Sequence, residues 1–345
     1  MVKKNKGLWG KIADQKEFSR KDYFKITRTI MFIVSGLLIV SFIVFFAIAY
    51  FSKGGITGVL GYISKANMYI FFLAFLFEFA SISMRFFKWL YYMKLLNVNI
   101  PLLKNFTIYL SLYSMNLTPG EIGRVVSAYS INTVSEHKLF ALLPIVSFDI
   151  FTDFLGYVIL SLIIAIIFPS YFLLFIPVAI ILLLPFVFII SPWLFNKMKK
   201  RLRKGRLSKV FALYGEEYFA AQSKLNNNKV YLISIIFTVP SAVLTSLSVF
   251  FVTISLGIKS NVLQSILIYV VSQMVGMASF IPGTIGSADI TMTTLIGSSF
   301  NVGSSLAASA TIMVRFATLW FDVILGSIFL FYTFKYWSNK KHKST

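Results

Sequence analysis

Six apolar runs, at 30–51, 66–84, 139–168, 171–195, 230–257 and 305–334, are strung along a chain of 345 residues. Each is about as long as the ~20 residues a helix needs to cross a hydrocarbon core. In water these faces could not all be hidden, because a soluble domain must cover itself with polar side chains. Composition agrees: 57% of the residues are hydrophobic and 13% charged, against roughly 25% charged in soluble proteins. A soluble enzyme, a secreted disulfide domain and a disordered polymer are excluded. The expected fold is an all-α polytopic membrane protein. The first run lacks the short apolar core and small-residue cleavage site of a signal peptide, so it reads as a retained span.

The net charge of +21 comes from Lys and Arg whose positions are informative. Nine of the 33 lie in residues 1–28, ten in 196–229 and four in 335–345, while the apolar runs are nearly free of them. This is the positive-inside distribution. It places both termini and the 196–229 loop in the cytoplasm of a multi-pass cell-membrane protein. It also favours anionic lipid headgroups over nucleic acid as the basic blocks' partner. The organisation expected is a basic arm (1–28), a membrane domain (29–335) and a basic tail (336–345). The loop at 196–229 carries an amphipathic surface helix over 197–224. The chain has no Cys and only two His, His137 and His342, too few for a zinc site. No metal or cofactor is expected. There is no Walker A motif and no His partner for a Ser nucleophile, so no catalytic residue is assigned.

Parity constrains the two remaining segments, 101–138 and 262–304. With a cytoplasmic N-terminus, the first two spans return the chain inside, and the 139–195 hairpin must begin and end inside. Segment 101–138 therefore enters and leaves on one side. Segment 262–304 does the same from the outer side. Each has a Pro-Gly break, Pro119-Gly120-Glu121-Ile122-Gly123 in the first and Pro282-Gly283-Thr284-Ile285-Gly286 in the second. Six full spans and two re-entrant broken-helix hairpins in an inverted-topology repeat follow. Such architectures place substrate near the membrane midplane, between broken helices. A helix restarting after Pro-Gly presents free N–H groups and a positive dipole end, which suit a phosphate or carboxylate.

Ionisable residues within apolar runs are costly and mark function by default. Glu78 lies in the second run. Asp149 and Asp153, four apart, share a helix face, as do Arg315 and Asp322, seven apart. Glu121 and Arg124 follow the first break and Asp289 the second. The candidate headgroup site comprises Pro119, Gly120, Glu121, Gly123, Arg124, Asp149, Asp153, Pro282, Gly283, Gly286, Asp289, Arg315 and Asp322. Glu78, Asp149 and Asp153 are candidates to carry a coupling proton. Internal pairing that only locks the helices together is the competing account.

The stretch from Asn116 to Arg124, followed by Asp149 and Asp153, resembles the transmembrane region of lysylphosphatidylglycerol synthetases. Pro282 to Asp289 is similar to that family's second signature, Pro-Gly-Gly-x-Gly followed by an acid. The resemblance spans roughly 25–335. It implies a lipid flippase-like domain that moves a phospholipid or a polyprenyl-phosphate-linked lipid between leaflets. The family's soluble synthase domain has no counterpart in the eleven residues after 334, so a stand-alone protein is expected. This chain carries Glu121, Arg124 and Ser127 where the family has a base, an acid and an Arg. Ile150 replaces an Arg, Thr284 a Gly and Asp289 a Glu, so a headgroup other than lysyl-lipid is expected. A homo-oligomer or a separate lipid-modifying enzyme would be its protein partner. The alternatives are an intramembrane glycosyl- or acyltransferase working on a lipid carrier, or a non-catalytic membrane subunit.

Overall fold

The computed structural model describes residues 20–118, 121, 123–124, 126–135, 137–190 and 217–337. Pro119 and Gly120, the basic arm to residue 19, most of the expected 197–224 helix and the tail from 338 lie outside them. The helices are α1 Arg20–Tyr50, α2 Gly55–Lys65, α3 Met68–Leu95, α4 Leu102–Leu112, α5 Val126–Val134, α6 Leu139–Ile167 and α7 Phe172–Ile190. After them come α8 (217–225), α9 Asn228–Ser255, α10 Val262–Ala278, α11 Ser287–Ser299, α12 Ser304–Arg315 and α13 Phe321–Trp337. A π-helical segment, Phe316–Trp320, joins the last two. No strand occurs among the described residues.

The protein is an all-helical, multi-pass membrane protein. Among the described residues, four helices are long and apolar enough to cross a bilayer: α3, α6, α9 and the continuous Ser304–Thr333. Val34–Tyr50 and Gly55–Lys65, bent by 101°, make a fifth span if counted as one broken helix. The α2 limb was not expected from the sequence. Nor was the length of α3, which runs on to Leu95 beyond the expected end at 84. Arg85 and Lys88 look like cytoplasmic flanking charges in the sequence, yet both are buried, because acids on other helices receive them.

The inverted repeat is written into the helix ends. Asn67 caps α3 and Asn227 caps α9, each accepting backbone N–H bonds through its side chain. Both helices then end with a left-handed residue, Asn97 (φ 56°) and Gly257 (φ 76°). The next N–H closes the same bond, Val98 to Met93 O and Ile258 to Thr253 O, both 2.9 Å. Each pair stands 160 positions apart, as do the starts of α4 and α10.

The two capped helices pack antiparallel. Asn67 N–H bonds Ser255 O at one end (2.8 Å), and Tyr92 meets the Ser234 hydroxyl at the other (2.5 Å). Midway, Ser81 Oγ donates to Ser241 O at 2.9 Å. These residues are also 160 apart, so equivalent positions touch and mark the pseudo-two-fold axis. Two like halves running in opposite directions are the inverted topology that parity required.

Neither hairpin limb of the first half can cross alone. α4 has 11 residues and α5 has 9, or ~16 and ~14 Å at 1.5 Å per residue. A core of about 30 Å demands more. In the second half, α10 has 17 residues and α11 has 13, and the two pack against each other as a hairpin. Small residues let the hairpins and spans approach closely. A Cβ on Gly326 of α13 would sit 2.1 Å from Ser114 N of the first hairpin, and one on Gly156 of α6 would sit 2.3 Å from Thr238 Cγ2 of α9.

Candidate functional site

Glu78, Ser81, Arg85, Lys88 and Tyr92 recur at steps of three and four along α3 and so form one face of that helix. All five are buried. Opposite them, α6 presents Asp149, Thr152 and Asp153 on its own face. Lys88 Nζ reaches Asp153 Oδ1 at 2.6 Å and Asp149 Oδ1 at 3.0 Å. It also donates to the Thr152 hydroxyl at 2.9 Å. Tyr92 OH meets the same hydroxyl at 3.1 Å. A buried ammonium is tolerable only when paired and hydrogen-bonded in this way.

The first break brings a second cation to the same acids. After the 3-10 turn Tyr113–Met115, the chain places Glu121 in a left-handed conformation (φ 58°). Gly123 N–H bonds the Thr118 hydroxyl at 2.9 Å. This geometry turns Arg124 inward. Its guanidinium lies 3.2 Å from Asp153 Oδ2, 3.8 Å from Asp149 Oδ2 and 3.1 Å from Glu121 Oε2. Asn116 relays the network further, accepting from Arg124 Nη2 at 2.9 Å and donating to Asp322 Oδ2 of α13 at 2.9 Å. Arg85 closes the other side, 3.5 Å from Glu78 Oε1 and 3.9 Å from Asp153 Oδ2. Arg85 and Arg124 also lie over the Tyr113 ring, at 5.6 and 5.1 Å from its centroid.

The cluster thus holds five carboxyls (Glu78, Glu121, Asp149, Asp153, Asp322) and three cations (Arg85, Lys88, Arg124), drawn from α3, the first break, α6 and α13. Among the described residues no group of three or more His, Cys, Asp and Glu is arranged to hold a metal ion.

The second break is built differently. Gly283 (φ 62°), Thr284 (φ 56°) and Gly286 (φ 86°) all take positive φ. The Gly286 N–H at the start of α11 bonds the Asp289 carboxylate at 2.7 Å, and Asp289 in turn accepts from Arg315 Nε. Arg315 Nη2 donates to Gly283 O (3.2 Å), Thr284 O (3.2 Å) and Thr284 Oγ1 (2.9 Å). Asp289 and Arg315 therefore pair with each other and staple the break to α12. The N–H that the sequence offered to an external anion is bonded to the chain's own carboxylate.

Arg315 and Asp322 have different partners despite their spacing. The π segment between them inserts a residue into the helix, turning the following side chains by ~100° relative to an uninterrupted α-helix. The breaks themselves meet: a Cβ on Gly283 would lie 2.7 Å from Leu117 Cδ2. Leu117 and Ile285 share a buried cluster with Val34 and Val323. Of the sequence candidates, Glu78, Glu121, Arg124, Asp149, Asp153 and Asp322 come together. Gly283, Gly286, Asp289 and Arg315 form the separate staple, with Pro282 at the head of its turn. Sequence reasoning passed over Arg85, Lys88, Asn116 and Tyr113. The 78–81–85–88–92 stripe was the available signal for the first two.

A comparison with curated proteins gave no match. The family model of the lysylphosphatidylglycerol synthase TM region matches residues 33–326, which include both hairpins and every charged member of the cluster. With its inverted halves and buried charges, the chain belongs to the lysylphosphatidylglycerol synthase TM region family, membrane proteins of lipid-metabolism or flippase type.

Proposed function

We propose that this protein translocates a phospholipid or a polyprenyl-phosphate-linked lipid between the leaflets of the cell membrane, with both termini in the cytoplasm. The observation that carries this is the bridging of two buried cations by one carboxylate. Asp153 gives one oxygen to Lys88 (2.6 Å) and the other to Arg124 (3.2 Å). A phosphate offers the same two-oxygen bridge, and Arg124 can meet it with its planar fork. Asp153 is then an internal anion that the headgroup displaces, and the acids so released face a cationic headgroup group or a proton. The first half supplies Lys88, Arg124 and Asp153, the second half adds Asp322 through Asn116, and alternating access would expose such a midplane site to each leaflet in turn. Anionic headgroups hold the basic cytoplasmic segments at the surface.

Liposomes containing purified protein and a fluorescent phospholipid test this. Asp153→Asn keeps the shape of the side chain but removes its charge, and is expected to abolish flipping while the protein stays folded and monodisperse. Unchanged transport would remove Asp153 from the mechanism. A covalently altered lipid, formed in detergent where no second leaflet exists, would instead identify an intramembrane transferase.

A further inference from the structure

The ion-pair network satisfies most of its members, but two carboxyl oxygens are left over. Glu78 is 1% exposed and Asp322 is 7% exposed. Glu78 Oε1 faces Arg85 and Asp322 Oδ2 accepts from Asn116. Glu78 Oε2 and Asp322 Oδ1 are buried and accept from no protein donor among the described residues. The two acids flank the contact of α3 with α13, where Phe75 and Phe321 pack edge to face with ring centroids 5.5 Å apart, and they lie within hydrogen-bond reach of one another beside the Thr245 hydroxyl. Two acceptor-only groups cannot bond each other when both are ionised, and adjacent carboxylates in a site of low dielectric do not both hold a charge. One proton resolves both problems, since the protonated oxygen of one acid donates to the free oxygen of the other.

We infer that Glu78 and Asp322 form a carboxyl–carboxylate pair that binds a single proton across the α3–α13 junction, and that this proton site is wired to the cation cluster. The wiring has two arms. Arg85 spans Glu78 (3.5 Å) and Asp153 (3.9 Å), and Asn116 spans Asp322 (2.9 Å) and Arg124 (2.9 Å). Loss of the proton leaves both acids charged and draws Arg85 and Asn116 toward them, away from Asp153 and Arg124. The charged and titratable side chains that bear on the pair are Arg85, Arg124, Glu121, Tyr113, Tyr157 and Tyr269. The cations steady the one negative charge left on the pair, and Glu121 opposes a second. In the transport reading above, which this inference deepens, the pair is where proton movement would be coupled to headgroup exchange.

Infrared difference spectroscopy on the purified full chain in lipid tests the site without any transport. The wild type is expected to show the carbonyl stretch of a protonated carboxylic acid near neutral pH, shifted in heavy water. Both Glu78→Gln and Asp322→Asn should erase it, because the amide donates to the remaining acid and leaves it ionised. Asp289→Asn, in the separate staple, should keep it. Glu78→Asp, which retains the carboxyl, should move the band and serves if the amide variants fail to fold. No such band in the wild type, or its survival in either amide variant, would overturn the shared proton. Absence of flipping with the band intact would count against the transport reading alone.

Discussion

Replacing Lys88 with Met removes one charge from the most buried part of the cluster while leaving a side chain of similar length. Lys88 is 0% exposed, with Asp153 at 2.6 Å, Asp149 at 3.0 Å and Thr152 at 2.9 Å from its ammonium. Met fills most of the space, so the cavity contribution is small and the cost is electrostatic. Removing one partner of a buried ion pair costs about 3–5 kcal/mol, because the other charge is left uncompensated. Here two carboxylates lose their common cation, and five acids then face two bases. Against a typical stability of about 5–15 kcal/mol, that is about a fifth of the total or more. The midpoint of thermal unfolding should fall by on the order of 10 °C, at a few degrees per kcal/mol for a chain of this size. Unfolding in detergent, followed by the fluorescence of neighbouring Trp89, reads this directly. The Lys88→Met/Asp153→Asn double variant should lose less than the sum of the singles, by about 0.5–3 kcal/mol of coupling. A Lys88→Met protein within ~1 kcal/mol of wild type, or strictly additive losses, would refute the claim that this pair holds the core together.

Other expectations follow from the packing and the topology. Gly326→Ala should lower stability by about 1–3 kcal/mol or more, because its Cβ would meet Ser114 N at 2.1 Å and Tyr113 C at 2.6 Å; Gly58→Ala, 3.5 Å from Ser305 Oγ, should leave the melting temperature nearly unchanged. Thr284→Gly relieves about 1–2 kcal/mol of left-handed strain but loses a charge-assisted bond from Arg315 worth about 1.5–3 kcal/mol. A small net loss in thermal stability is expected, and a clear gain would show that the Thr284 hydroxyl contributes little. In this Cys-free chain, Lys65→Cys and Lys229→Cys, both exposed just beside the N-terminal ends of α3 and α9, should react with an impermeant thiol reagent from opposite sides of sealed vesicles. Labelling from one side only would contradict the inverted repeat.

Much of the architecture was legible because membrane insertion obeys one-dimensional rules. Apolar run length gives spans, and the Lys and Arg of 1–28 and 196–229 supply the expected orientation. Parity then leaves two segments that must turn back. Asp149 and Asp153 stood out because an acid inside an apolar run has few innocent explanations. Lys88 and Arg85 did not, because a base near the end of such a run looks like an interfacial anchor until an acid on another helix claims it. Asn116 entered the sequence reading only as the first residue of the family-like motif, an ordinary polar residue there and a relay between Arg124 and Asp322 in space. The Arg315–Asp322 spacing misled, since a π segment leaves no mark on composition but rotates everything after it.

By itself, then, the sequence determined that this chain lives in a bilayer and where it must turn back, because hydrophobicity and Pro-Gly chemistry act locally. Tertiary structure alone decided which charges meet. It gave Asp289 to Arg315 as a staple and Asp153 jointly to Lys88 and Arg124, and left Glu78 Oε2 and Asp322 Oδ1 buried without a donor among the described residues. Those assignments depend on distances of a few ångströms between helices far apart in the chain. Coulomb and hydrogen-bond energies at bilayer depth turn on such distances, and no periodicity in the sequence encodes them.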